Sequence, residues 1–89
     1  MYNFQIAETK NFKKCIAKID KNVYTKIINI VYPQLRKNPF YGTNIKKLKE
    51  QLTGYYRYRL GNYRLFYLLD GDDILIIVTD FKHRQSAYE

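Results

Sequence analysis

Three arginines, Arg57, Arg59 and Arg64, fall within eight residues of the stretch YYRYRLGNYRLFYL at positions 55–68, interleaved with tyrosines. Lysine and glutamate would serve a surface that only had to be soluble. Guanidinium forks are always charged, grip phosphate oxygens two at a time and stack on flat rings. Beside tyrosines they suit phosphate and unstacked bases. The tail FKHRQSAYE adds Lys82, His83, Arg84 and Tyr88. His83 is the one histidine of the chain, and its ordinary pKa near neutrality makes it an acid/base candidate by type.

Two alternating strands joined by a tight turn at Gly61-Asn62 would position the arginines. In the first, Arg57 and Arg59 share one face and Tyr56, Tyr58 and Leu60 the other. In the second, Tyr63, Leu65 and Tyr67 alternate with Arg64, Phe66 and Leu68. A hairpin of this kind sets one face on a core and leaves the other to water. Residues 2–6 read as a short first strand. A helix then opens at Glu8 or Thr9 and runs to about residue 19, with Phe12, Cys15, Ile16 and Ile19 as its apolar stripe. Asp20 caps a second helix whose stripe is Val23, Ile27, Ile30 and Val31. Pro33 predicts a stop or kink near Tyr32, followed by one more helical turn to Lys37.

Asn38-Pro39 and Gly42 mark a loop. Residues 45–52, IKKLKEQL, fit either a single helical turn or an extended basic arm. Asp70-Gly71-Asp72-Asp73 is a turn signal, and residues 74–78 form an apolar run suited to a central strand. The expectation is one α+β domain over residues 1–89, ordered β-α-α-β-β-β. Two N-terminal helices pack on one face of a small antiparallel sheet, and the face bearing Arg57, Arg59 and Arg64 stays open.

Sixteen basic against eight acidic residues give a net charge of +8, with +6 of it in residues 1–43. Such a balance favours nucleic acid, an anionic membrane surface or an acidic protein partner. A hydrophobic content of 46%, with ten Tyr and five Phe, is that of a folding sequence. At 89 residues only roughly 60–65% of the unfolded surface is buried, so a partner would add much to stability. The one cysteine, Cys15, forms no internal disulfide and reads as a buried thiol in a reducing compartment. The N-terminus lacks the apolar run of a signal peptide and no apolar span reaches 18 residues, so a cytoplasmic protein without a membrane partner is expected. One His and one Cys exclude a metal cluster of the usual N/S spacing, and isolated glycines exclude a phosphate-cradling loop. No metal and no small-molecule cofactor is expected.

The segments NPFYG at 38–42, KLK..LTG at 47–54, YRYRLGNYRLFY at 56–67 and HRQSAY at 83–88 resemble the RelE/ParE superfamily of toxins from toxin–antitoxin systems. The RelE-like branch, favoured here, implies a ribosome-dependent mRNA endonuclease that cuts in the A site by metal-free attack of the 2′-OH. The resemblance places the branch's strand cations on Arg57 and Arg59 and its strongly catalytic arginine on Arg64. Its tail basic residue falls on Lys82 or Arg84 and its tail aromatic on Tyr88. Lys47 and Lys49 fall in its basic, RNA-contacting segment, and His83 only partly matches the branches that use a tail histidine. Where some branches place a glutamate base, this chain has Lys46, and Glu50 is out of register, so that mechanism is not expected. The implied partners are a cognate antitoxin, mRNA and the ribosome.

Other readings compete. The superfamily also implies a ParE-like inhibitor of DNA gyrase that cleaves nothing, or an inert homologue that only binds antitoxin. Arg57 and Arg59 could meet an acidic antitoxin segment, and Arg64 could pair with Asp70 or Asp80. Tyr88 could be a packing plug, and His83 a strand-end residue.

Overall fold

The computed structural model describes residues 4–72 and 74–85. Alternating side chains build five strands: β1 (Gln5–Glu8), β2 (Ile45–Lys47), β3 (Tyr55–Leu60), β4 (Tyr63–Asp70) and β5 (Leu75–His83). They form one sheet in the order β1-β5-β4-β3-β2. The α+β class holds, with the helices on one face. The sheet is mixed, however, because β1 pairs parallel with β5 while the other neighbours are antiparallel. The run at 74–78 accounts for this: Ile76 and Val78 are fully buried, and β5 has a strand on each side there. Residues 2 and 3 of the expected first strand lie outside the described residues, and the strand extends instead to Glu8. The ambiguous segment 45–52 divides, giving the short edge strand β2 and then a single 3-10 turn, Glu50–Leu52.

Helix α1 (Lys10–Ala17) starts where the Thr9 hydroxyl accepts the Phe12 amide at 3.1 Å, satisfying one orphan N–H of the first turn. Asp20 does the same for Asn22 at 2.8 Å, opening α2 (Lys21–Lys26). No stop occurs at Pro33. A π turn (Ile27–Val31) joins α2 directly to α3 (Tyr32–Lys37), with the Tyr32 amide bonded to the Ile27 carbonyl. Proline lacks an N–H and crowds the carbonyl four residues back, and widening the ladder by one residue just ahead of it relieves both problems. The extra residue also rotates the buried stripe. Ile30, expected inside, is 46% exposed, while Ile27, Val31, Tyr32 and Leu35 are buried.

The main core lies between the helices and one sheet face, around Phe12, Leu35, Leu65 and Tyr67, with Tyr67 stacked on Tyr56 at 5.5 Å. Cys15 is half-buried at its margin. The other face is not wholly open. Leu48 and Phe66 are buried there with Tyr55 packed against them, so the chain leaving β2 covers part of that face. A bulge completes the arrangement: Tyr67 pairs with Val78 but Phe66 with Asp80, leaving Thr79 as the extra residue. Strict alternation would keep Lys82 on the side of Ile76 and Val78. The bulge turns Lys82 to the opposite face and puts Phe81 into the main core.

Candidate functional site

The hairpin turn is the anchor of the site. Leu60 pairs with Tyr63 across a two-residue connection, and Gly61 sits at φ 58°, a conformation glycine adopts without steric cost. The next pair outward is Arg59 with Arg64, and Arg64 in turn pairs with Lys82 on β5. Three cations therefore form one row across three strands. One step along, Lys46, Arg57, Phe66 and Asp80 form a second row. Like charges directly opposite destabilise a sheet, so this pattern does not serve the fold.

Arg64 is only 7% exposed. One terminal nitrogen donates to the Tyr63 carbonyl at 2.9 Å and to the Gly61 carbonyl at 3.2 Å, which holds the guanidinium at the turn. Its Nε and the Nε of Arg57 are buried and have no hydrogen-bond partner among the described residues. Leaving such a donor unmatched costs about 1–3 kcal/mol. Asp80 does not neutralise Arg64; it accepts from Asn11 on α1. Arg84 reaches the same place from the tail, because its backbone N–H donates to the Asn62 carbonyl at 2.6 Å. Arg59, Arg64 and Arg84 together line a groove of about 540 Å³ that curls around the turn. An anion with oxygens to spare is the chemical complement of that rim.

The remaining candidates separate. Lys82 is exposed opposite Arg64. Arg57 lies on the same face but outside the groove lining. His83 pairs with Tyr63, and its ring meets that of Tyr63 edge-on at 5.6 Å on the helix-covered side, across the sheet from the arginines. Lys47 pairs with Tyr56 and so belongs to that side as well, while Lys49 is exposed just beyond β2. Lys46 faces the Arg57 side instead, and only the register of β2 reveals this. Tyr88 lies outside the described residues.

A second polar cluster sits on the helix side. Tyr32 and Tyr24 donate to the Glu8 carboxylate at 2.7 and 3.0 Å, and the Arg36 guanidinium lies 6.0 Å from the Tyr32 ring centre. Burial, then the hydrogen bond and charge of Glu8, pushes the Tyr32 hydroxyl far above the ordinary phenol range, and Tyr24 is raised for the same reasons. Burial likewise raises Tyr67, whose hydroxyl donates to the Pro39 carbonyl at 2.7 Å. These phenols are protonated structural donors.

A helix-backed mixed sheet with a cationic groove at its central hairpin defines an α+β protein of RelE-like architecture. The chain belongs to the ParE toxin family of type II toxin–antitoxin systems, whose family model (ParE toxin of type II toxin-antitoxin system, parDE) matches residues 6–88. It is a toxin of the RelE/ParE superfamily. The fold is similar to the RelBE2 toxin–antitoxin complex of Mycobacterium tuberculosis, with a TM-score of 0.83 and 21% identity over 94% of each chain. It is also similar to the archaeal RelE–RelB complex of Pyrococcus horikoshii OT3, at 0.78 and 26% over 96% of this chain and 99% of that one. A RelB–RelE antitoxin–toxin complex of Methanococcus jannaschii matches at 0.71 and 30%, over 91% and 93%. No curated protein matches the chain in sequence. Among the described residues no helix is long and apolar enough to cross a membrane.

Proposed function

We propose that this toxin is a ribosome-dependent mRNA endonuclease acting in the A site, held inactive by a cognate antitoxin. The carrying observation is the convergence of Arg59, Arg64 and Arg84 on one groove, with the buried Nε of Arg64 unmatched among the described residues. In the reaction the ribose 2′-oxygen bonds to the adjacent phosphorus and the bond from phosphorus to the 5′-oxygen breaks. The 2′-OH proton passes to a base, and the leaving 5′-oxygen gains one from an acid. Charge builds on the phosphoryl oxygens between, and guanidinium donors held at the turn meet it. Arg64 is the central clamp, Arg59 and Arg84 flank it, and Arg57, Lys46 and Lys82 carry the chain of phosphates onward. Tyr88 stacks on a base or takes the 2′-OH proton. The antitoxin reading draws on the toxin–antitoxin complexes among the structural relatives.

A translation extract with a defined message tests the proposal. Cuts that need ribosomes and vanish with Arg64→Ala support it. Intact message together with trapped gyrase–DNA complexes would replace it with the ParE-like reading, which draws on the family model that matches and on the position of His83 away from the arginines.

A further inference from the structure

The groove at the hairpin is not lined by cations alone. Besides the arginines its lining includes the amides Gln34, Asn44 and Asn62, with the apolar Leu60 and Ile30. Among the described residues no carboxylate lines it. Its volume is within the range of roughly 300–1,000 Å³ typical of small-ligand sites. Phosphate needs only the arginines. A set of neutral hydrogen-bonding groups with apolar side chains suits the other part of a nucleotide, the edge and face of its base.

Gln34 is the defined member of this set. It is an exposed residue of α3, yet its Oε1 accepts the hydroxyl of Tyr58 at 2.8 Å, and Tyr58 is itself buried in the main core. That bond takes up the acceptor end of the amide and leaves its Nε2 hydrogens without a hydrogen-bond partner among the described residues. An amide held this way presents donors, which discriminate among bases by where the base carries an acceptor. We infer that Gln34, oriented by Tyr58, is a specificity-determining residue that reads the base next to the phosphate clamped by Arg59, Arg64 and Arg84. This rests on the RNA-cleaving reading given above and adds the choice of sequence to it.

The test maps every cut that the full toxin makes along a defined message in a translation extract, comparing wild type with Gln34→Ala, Gln34→Glu and Tyr58→Phe. Gln34→Ala should shrink the ratio between most-cut and least-cut codons roughly tenfold, the order of one base-edge contact. Gln34→Glu offers acceptors where donors were and should move the preferred codons. Tyr58→Phe keeps the amide but frees it, and should flatten the preference in part. An unchanged cut distribution in Gln34→Ala would overturn the inference while leaving the nuclease standing. So would a uniform loss of cutting from a variant whose circular dichroism and melting match wild type. Wild-type protein that cuts nothing would sink the nuclease reading itself, and the inference with it.

Discussion

Arg59 and Arg64 stand directly opposite one another across β3 and β4, one pair outward from the turn at Gly61. Two like charges in register, one of them almost wholly buried, oppose folding. Such an arrangement makes sense when an anion completes it.

Arg64 should therefore trade stability against activity. Arg64→Met keeps the length of the side chain and removes the repulsion and the unmatched donor, which offsets the loss of its two bonds to the turn carbonyls. Thermal melting is expected to show a stability unchanged or raised by about 1 kcal/mol. Cutting in the extract should fall about 100- to 1,000-fold, the usual cost of losing one fixed donor to a developing oxyanion. Melting lowered by several degrees would mark Arg64 as a structural residue.

His83 packs edge-on against Tyr63 on the far side of the sheet. His83→Ala is expected to cost about 0.5–1 kcal/mol through that ring contact. It should leave cutting within about twofold, with the pH profile unmoved. A loss of tenfold or more would show that the tail rearranges when RNA binds.

Lys46 and Lys47 are adjacent in sequence and opposite in facing. Lys46→Ala should weaken cutting more than Lys47→Ala, since only Lys46 shares the face of Arg57. Titrating salt checks the cause, because the Lys46 effect should shrink as ionic strength rises. Equal effects would mean that both lysines act through long-range charge alone.

Leu48 and Phe66 form a small second core under the basic segment. Leu48→Ala is expected to lower stability by about 2 kcal/mol, near the bottom of the range for core truncations because the cluster is small. Urea unfolding would measure it, and a change under about 0.5 kcal/mol would show that the segment is not anchored there.

The buried phenols set the alkaline limit. Their pKa values are raised in the fold, whereas in the unfolded chain they ionise near the ordinary value of about 10. Below that pH the native and unfolded chains hold the same phenolic protons and stability is intact. Above it the unfolded chain releases protons that the fold retains, so stability falls as pH rises. Tyr32→Phe should cost about 1 kcal/mol at neutral pH through the lost bond to Glu8 and flatten that alkaline decline. Melting curves from pH 8 to roughly 11 would show both effects.

Local chemistry was legible in the chain wherever it depended on neighbours a few residues apart. The alternation at 55–68 set the faces of Arg57, Arg59 and Arg64; Gly61-Asn62 set the turn; Thr9 and Asp20 set the helix starts. What the tertiary structure decided turned on single-residue insertions into those periods. The π turn before Pro33 carried Ile30 outward and brought Tyr32 and Leu35 in, and the bulge at Thr79 moved Lys82 to the arginines and His83 away from them. One extra residue changes a facing by about 100° in a helix and by half a turn in a strand. Whether it is accommodated depends on packing with distant partners, here the proline's crowded carbonyl and the register of β5 against β4. The parallel pairing of β1 with β5 and the meeting of Gln34 with Tyr58 are long-range for the same reason: residues far apart in sequence meet only when the whole sheet is assembled.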